Sequence, residues 1–238
     1  MRRLLAISSA TAEASVAFMQ EGAVVAEQAG SARRDHAETL LELIDAVLKD
    51  AGCAIEAVDA YAVTRGPGAF TSLRVGIGSV KGLSFRAGLP VAPVSTLAAL
   101  ALDAPVDREP GLPVAALLDA GRGEVYAALF DPDCKRPLPQ WTVGVYDLEA
   151  LEAQLPGPLA LVGAGAESHA GRLADCVGRV LYAGCVPRAR HVARLGFEAL
   201  GRGEGVDAAD LRPDYLRGAR AEVSRKAALA RRSGLDTI

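Results

Sequence analysis

Two places in the sequence carry residue types that could hold a phosphate or a metal ion. Asp119 follows an apolar run and precedes a Gly-Arg-Gly triplet, a setting in which a carboxylate can hold Mg²⁺ or orient water. Gly163 and Gly165 follow a second apolar run, as glycines of nucleotide-binding turns do. Asp119, Gly163 and Gly165 are therefore candidates for nucleotide contact. An aspartate beside glycines is also a common turn former, and that alternative stays open.

Motifs that would identify an enzyme are missing or interrupted. The sequence has no Gly-x-x-x-x-Gly-Lys-Ser/Thr phosphate loop and no Gly-x-Ser-x-Gly nucleophile elbow. The Gly-x-Gly-x-x-Gly patterns that begin at Gly66 and Gly163 break at the third glycine, where Thr71 and Ser168 stand. His36 opens a helical pattern, but the position one turn later, where a second metal ligand would lie, is a leucine. The sequence therefore predicts no metal pair and no catalytic nucleophile.

A glycine-rich stretch runs from Arg65 to Leu83. A Gly-Pro-Gly turn leads into a helix that Thr71 or Ser72 can cap. Glycine recurs in this helix at positions 76, 78 and 82, and each glycine costs about 1 kcal/mol relative to alanine. Close approach of another backbone or of a ligand would offset that cost.

At 100° per residue, this helix separates into an aliphatic face, a charged edge and a face of small residues. The aliphatic face should pack on the chain's own sheet, and the small-residue face is predicted to bind a partner helix. The predicted contact residues are Ser72, Val75, Gly76, Gly78, Ser79 and Gly82. Tight packing inside one domain is the alternative explanation of the same pattern.

Composition indicates a soluble cytoplasmic protein. The chain has 238 residues, half of them hydrophobic, enough for one large or two small domains. The four cysteines form no Cys-x-x-Cys pair, which favours a reducing compartment with inert thiols. The apolar start is better interpreted as a strand than as a signal peptide, and no apolar run reaches the ~18 residues of a membrane span.

The charge of the chain is unevenly distributed. The formal net charge is −3, yet the stretch 212–232 holds seven basic and two acidic side chains and so carries +5. A basic tail of this kind could touch nucleic acid, or it could be a solvated helix or a frayed terminus.

The order of three strands, helix, strand and helix occurs twice along the chain. In the first series, strands are predicted at 4–7, 14–19 and 23–26, a helix capped by Asp35 at 35–52, a strand at 58–64 and a helix at 72–86. A strand at 90–94 and a helix at 96–102 follow it. A proline-rich stretch, 103–113, separates the two series. In the second series, strands are predicted at 114–118, 123–130 and 141–145, a helix at 148–155, a strand at 159–162 and a helix from about 167, and a further helix at 192–200 follows. The repetition predicts an α/β protein of two related lobes with mixed sheets flanked by helices. The predicted divisions are 1–103, 104–217 and a basic tail at 218–238.

Five blocks of the sequence resemble, in order, those of the TsaB family. They are residues 5–11, 65–78, 93–97, 118–126 and 213–217. The resemblance spans nearly the whole chain and implies an actin-like fold, of the acetate and sugar kinase, Hsp70 and actin type, built from two ribonuclease-H-like lobes. One departure is that Ser8 and Ser9 stand where the family usually has Asp-Thr, which removes a carboxylate from the first strand.

The resemblance also implies a function. Members of this family are non-catalytic scaffold subunits in the formation of N6-threonylcarbamoyladenosine, next to the anticodon of tRNAs that read codons beginning with A. The paralogue TsaD carries the His-x-x-x-His metal pair and transfers the carbamoyl group with the ATPase TsaE. The implied partners are TsaD through the first lobe, TsaE with the assembled complex, a second copy when alone, and tRNA indirectly. ATP and metal are expected in the partner subunits, and no intrinsic cofactor is implied.

Two other functions are alternatives. A small-molecule kinase of the same fold would use Asp119 and the glycine turn at 163–166 on ATP. A metallopeptidase-like activity is the least favoured, since the metal pair is missing.

Overall fold

The computed structural model describes residues 3–31, 36–134, 136–139, 141–173 and 178–216. Within these ranges ten strands form two five-stranded sheets. The strands are β1 Arg3–Ser8, β2 Glu13–Gln20, β3 Ala23–Ser31, β4 Ala60–Gly66, β5 Val91–Ser95, β6 Val114–Gly121, β7 Glu124–Phe130, β8 Gly144–Asp147, β9 Leu159–Val162 and β10 Arg179–Tyr182. The helices are α1 His36–Asp50, α2 Phe70–Ala87, α3 Thr96–Ala101, α4 Leu148–Gln154, α5 Ala164–Ser168, α6 Ala170–Leu173 and α7 Ala189–Gly201. Among the described residues, no helix is both long enough and apolar enough to cross a bilayer.

The two sheets have the same topology. The first has the order β3-β2-β1-β4-β5 and the second, reversed, has β8-β7-β6-β9-β10. In each sheet the first three strands pair antiparallel, and the fourth and fifth join in parallel. The duplication inferred from the sequence is therefore real at the level of topology, and the predicted fold class is confirmed.

Burial explains why the central strands carry continuous apolar runs. Leu4, Leu5, Ala6 and Ile7 of β1 are all fully buried, because β1 lies between two other strands and is covered by helices on both faces. Such strands have no solvent-facing side and so do not alternate polar and apolar residues. Side chains of α1 and α2 cover one face of the first sheet, and α7 covers the other.

The two halves exchange helices. The third helix, α3, follows the first sheet in the chain but packs in a core with β6 and β7 of the second sheet. The last helix, α7, follows the second sheet but packs on β1, β2, β4 and β5 of the first. A division at 103/104 assigns α7 to the second lobe, although its apolar face contacts the first sheet. The boundaries themselves stay a prediction, and the tail 218–238 lies outside the described residues.

Several local expectations differ from the structure. The predicted cap of α2 by Thr71 or Ser72 is wrong: the helix begins at Phe70, with Ala69 at the N-cap and no side-chain cap. The glycine stretch 163–166, expected to be a turn, instead opens α5, and β10 was not predicted because its four residues give no periodic signal. The third strand of the second series begins at Gly144 rather than at Trp141. The predicted cap Asp35 lies outside the described residues.

Candidate functional site

Gly76 of α2 faces the interior of the chain. A Cβ atom at this position would overlap Ser9 Oγ and lie 3.0 Å from Ser9 Cβ. The end of β1 therefore occupies the space that the missing side chain leaves. Ser72, one turn earlier on the helix, is also buried. These two positions are corrections to the predicted partner surface, because the chain's own packing already covers them.

Gly78 and Gly82 face outward instead. Neither would place a Cβ within 4 Å of another group, and both residues are exposed. Val75 and Ser79 are half-buried beside them. The outer part of the small-residue face is thus accessible in the described part of the chain, and no neighbour among the described residues explains these two glycines.

Two large apolar side chains border this accessible strip. Phe85, on the last turn of α2, is 82 % exposed, and Leu41 of α1 is 56 % exposed. The two helices are in contact, and Val75 and Leu83 pack into the same core as Leu40 and Ile44 of α1. We call the surface formed by Leu41, Val75, Gly78, Ser79, Gly82 and Phe85 the α1–α2 face. Its apolar exposure at helical spacing is typical of a helix-binding surface.

The sequence signals for Leu41 and Phe85 were present. Leu41 follows Leu40 directly, so the apolar side of α1 is wider than one buried stripe needs. Phe85 lies three residues after Gly82 and seven after Gly78, on the same side of the helix. An exposed phenylalanine in line with two exposed glycines identifies the face more clearly than the glycines alone.

The segment before residue 217 is fixed to the start of α2. The Asp214 N–H donates to the Arg65 carbonyl at 2.7 Å, and the Asp214 carboxylate lies 3.5 Å from the Arg65 guanidinium. Tyr215 stacks on Phe70 with a centroid distance of 5.2 Å, and Arg74 lies over the Phe70 ring. Two of the five family-like blocks, 65–78 and 213–217, therefore contact each other in the fold.

The three candidates for nucleotide contact, Asp119, Gly163 and Gly165, lie close together, and each has a structural role within the chain. Asp119 Oδ1 accepts the Gly121 N–H at 2.7 Å, so this aspartate closes a turn. A Cβ at Gly163 would overlap the Leu117 carbonyl oxygen, and one at Gly165 would lie 2.9 Å from Leu117 carbonyl carbon. Both glycines are buried, and their assignment as nucleotide contacts stays a prediction. Close packing of α5 on β6 accounts for them.

The end of β1 is occupied by hydrogen bonds within the chain. The Ser8 hydroxyl donates to the Pro187 carbonyl, and the Ser9 N–H donates to Thr64 Oγ1 at 3.2 Å. Ser8 thus connects the first sheet to the segment entering α7, whereas the Ser9 N–H bonds within the first sheet.

The resemblance implies a His-x-x-x-His metal pair for the paralogue, and this chain has a core leucine at the second position of that pair. Leu40, one turn after His36, is 1 % exposed and belongs to the core between α1 and the first sheet. The His36 side chain lies outside the described ones. Among the described residues, no three His, Cys, Asp or Glu side chains cluster as metal ligands would.

Two of the cysteines are buried thiols. Burial raises the pKa of Cys134 to about 11 and that of Cys185 to about 11. At neutral pH both are protonated and weakly nucleophilic. This agrees with the inert thiols expected from their spacing, and Cys176 lies outside the described residues.

Known proteins resemble the chain along most of its length. The family model of TsaD, described as tRNA N6-adenosine threonylcarbamoyltransferase, matches residues 8–135. The tRNA threonylcarbamoyladenosine biosynthesis protein TsaB of Haemophilus influenzae is 41 % identical over 123 residues, which are 52 % of this chain and about half (51 %) of that protein. The protein of the same name from Escherichia coli K12 is 32 % identical over 229 residues, covering 90 % of this chain and 94 % of that protein.

A solved structure agrees with these relatives. YeaZ from Pseudomonas aeruginosa is 34 % identical, with a TM-score of 0.80 over 90 % of this chain and 100 % of that one. The Escherichia coli relative and this structure each cover 90 % of the chain. Because these similarities extend along nearly its whole length, the chain belongs to the TsaB family.

Proposed function

We propose that the chain is a non-catalytic subunit required for N6-threonylcarbamoyladenosine formation in tRNA, next to the anticodon of tRNAs that read codons beginning with A. It acts in the cytoplasm with a TsaD-type transferase and a TsaE-type ATPase. It holds no cofactor of its own, and ATP and metal belong to the partner subunits. Family membership and the printed names of its relatives support the pathway.

The observation that carries the proposed scaffold role is the exposed α1–α2 face. Phe85 of α2 and Leu41 of the neighbouring helix α1 present large apolar surfaces, and Gly78 and Gly82 of α2 are exposed. The glycines let a partner helix approach the α2 backbone closely, and the apolar side chains would be buried on docking. The proposed partner is a TsaD-type transferase, whose family model matches residues 8–135 of this chain, and a second copy of this chain is the alternative when that subunit is absent.

The rest of the molecule supports a non-catalytic role. Asp119 is engaged in a turn, the two glycines near it face the chain's own backbone, and Leu40 fills the core at the position of a metal ligand. No observation favours the kinase or the metallopeptidase alternative.

The function is tested by reconstitution with one component omitted at a time. The chain, TsaD, TsaE, tRNA and the threonylcarbamoyl donor with ATP are combined, and modified adenosine is quantified by mass spectrometry. We expect modification to fall to background when this chain is left out. Full modification without the chain, or modification by the chain without TsaD, would overturn the proposal.

The docking surface is tested by a matched pair of glycine substitutions. Gly82→Leu places four carbons on the α1–α2 face and should weaken binding of TsaD by at least about tenfold, because the added side chain prevents close helix approach. Gly171→Leu is the control, since Gly171 is also an exposed helical glycine and no atom of the described residues lies within 4 Å of its Cβ position. Binding is measured by calorimetry, and equal affinities for both variants would contradict the assignment of the face.

A further inference from the structure

We propose that the exposed stack of Phe70 and Tyr215, with the arginines beside it, binds the tRNA directly. One unpaired nucleobase stacks on Tyr215, and Arg65 and Arg74 hold the neighbouring phosphates. We call Arg65, Phe70, Arg74 and Tyr215 the stacking platform. This inference rests on the proposed function, because it gives the chain its own contact with the RNA substrate, whereas the family resemblance implies only an indirect one.

In the described part of the chain, one face of the Tyr215 ring is open. The rings of Phe70 and Tyr215 stack with their centroids 5.2 Å apart and an angle of 28° between their planes, yet the two residues are 44 % and 42 % exposed. Because one face of the Tyr215 ring lies against Phe70, its exposed area lies on the other face and the edge. A fixed aromatic ring with one open face is the surface on which an unpaired nucleobase stacks.

Two guanidinium groups lie beside the stack. The Arg74 guanidinium carbon is 5.2 Å from the centroid of the Phe70 ring, and the Arg65 guanidinium is 3.5 Å from the Asp214 carboxylate. The side chains of Arg65 and Asp214 are 46 % and 45 % exposed. An ion pair this open contributes little to stability, so Arg65 can exchange its carboxylate partner for a phosphate, which a guanidinium binds through two parallel hydrogen bonds.

The local charge favours RNA over a second protein as the occupant. Residues 65–74 and 212–216 hold three arginines and a single acid, Asp214, which gives +2. The whole chain carries −3, so these two stretches are basic within an acidic protein. Tyrosine and arginine also occur in protein interfaces, but a concentration of positive charge beside exposed rings is complementary to a chain of phosphates that carries unpaired bases.

The platform is formed by contacts within the chain, before any ligand binds. The Asp214 N–H donates to the Arg65 carbonyl at 2.7 Å, and a Cβ at Gly66 would overlap the Asp214 carbonyl oxygen. Glycine at position 66 therefore lets the segment that carries Tyr215 lie against the end of β4, while Phe70 is the first residue of α2. Rings that are already in position lose little conformational freedom on binding, which favours affinity.

The base contact is tested by replacing the Tyr215 ring. The full chain is combined with TsaD, and binding of an unmodified transcript of a tRNA that reads a codon beginning with A is measured by fluorescence anisotropy. Tyr215→Leu should weaken tRNA binding by about tenfold, because the base loses its aromatic neighbour. Tyr215→Phe keeps the ring and should bind within about twofold of the natural chain. Equal affinities of Tyr215→Leu and the natural chain would overturn the proposal.

The phosphate contacts are tested by the salt dependence of the same binding. Arg65→Gln and Arg74→Gln should each weaken tRNA binding and reduce the slope of log affinity against log salt concentration by about one. Tyr215→Leu should leave this slope unchanged, because stacking releases no counterions. The control is Arg194→Gln, an exposed arginine of α7, which should change neither affinity nor slope. A slope that neither platform arginine changes would overturn the proposal.

The outcomes separate this inference from the proposed function. TsaD binding by each variant is measured by calorimetry and should not change, because the platform residues lie outside the α1–α2 face. If the variants lose TsaD and tRNA together, the platform is a protein contact and the inference is overturned; if Tyr215→Leu lowers stability in urea, the salt slope of Arg74→Gln decides. If all variants bind tRNA normally while omission of the chain still abolishes modification, only the inference fails. If the chain neither binds TsaD nor is needed for modification, the proposed function fails and the inference fails with it.

Discussion

At the scale of single residues, Gly76 and Gly78 are neighbouring glycines of one helix whose surroundings differ. Gly76 lies against Ser9, which leaves no room for a side chain, whereas a Cβ at Gly78 would meet no described atom within 4 Å. The sequence shows the same residue type twice and cannot distinguish packing inside the chain from an accessible surface. Only the position of β1 relative to α2, a contact between residues far apart in sequence, separates the two.

This difference predicts opposite effects of alanine. Gly76→Ala should lower the free energy of unfolding by about 1–3 kcal/mol through overpacking, and Gly78→Ala should raise it by up to about 1 kcal/mol through helix propensity. Urea denaturation at pH 7 measures both. Adding Ser9→Ala to Gly76→Ala should recover part of the loss, since Ser9 Oγ is the overlapping atom and has no hydrogen-bond partner among the described residues. Similar values for the two alanine variants would refute this account.

Asp103 connects the end of α3 to the start of α7. Its carboxylate accepts the Val186 N–H at 2.9 Å and the Arg188 Nε–H at 3.1 Å, and His191 Nε2 lies 3.0 Å from it. Burial raises the pKa of this carboxyl, but the hydrogen bonds from His191 and Val186 and the charge of Arg188 outweigh it, so the pKa is lower than its ordinary value. A carboxyl with a lowered pKa stabilises the fold above its unfolded pKa of about 3.9 and loses that contribution as pH falls through the folded pKa.

Asp103→Asn should therefore destabilise the protein in a pH-dependent way. We expect a loss of about 1–3 kcal/mol at pH 7 and at pH 5.5, because hydrogen bonds to a charged group are lost, and a smaller difference below about pH 4, where the natural carboxyl also becomes protonated. Urea denaturation at each pH measures the gap, with the exposed Asp107→Asn as control. A gap that does not change between pH 7 and pH 3.5 would rule out the charge as its cause.

At the scale of elements, the N-terminus of α7 is capped by side chains of two strands of the first sheet. Its own N-cap residue, Arg188, makes no side-chain cap. Instead, Ser15 Oγ of β2 accepts the Ala189 N–H at 2.9 Å, and the Glu27 carboxylate of β3 accepts the Arg190 N–H at 2.9 Å. The periodicity of α7 could be found from the sequence, but its caps could not, because they come from residues more than 160 positions away.

Removing this remote cap should weaken the attachment of α7. Ser15→Ala leaves the buried Ala189 N–H without its acceptor, and we expect a loss of about 1–2 kcal/mol in the free energy of unfolding. Thr11→Ala is the control, since the Thr11 hydroxyl bonds at an exposed turn of the same hairpin, and its effect should stay within about 0.5 kcal/mol. Thermal and urea unfolding give the values. Equal effects of both variants would show that the Ser15 contact does not stabilise α7.

At the scale of the whole molecule, the two halves share a topology but are not separate bodies. Each half has a helix packed on the other's sheet: α3 lies in the core of the second sheet and α7 in that of the first. The repeated order of strands and helices was readable from hydrophobic periodicity, since it is local. The sheet that α7 covers could not be predicted from that periodicity, because an amphipathic helix fits any apolar surface of suitable size.

This exchange predicts that the first half cannot fold alone. Residues 1–103 lack α7, so the sheet face formed by residues such as Leu4, Ala62 and Val94 would be exposed to water. The packing there is close, because a Cβ at Gly196 of α7 would lie 2.5 Å from Ala62 Cβ. A fragment of residues 1–103 should show no cooperative unfolding transition by circular dichroism. The same fragment joined through a glycine-serine linker to residues 186–216 should unfold cooperatively, since those residues restore α7 and the pairing of Val206 with Val91. Cooperative unfolding of 1–103 alone would mean that the α7 surface contributes little and that the lobes are independent after all.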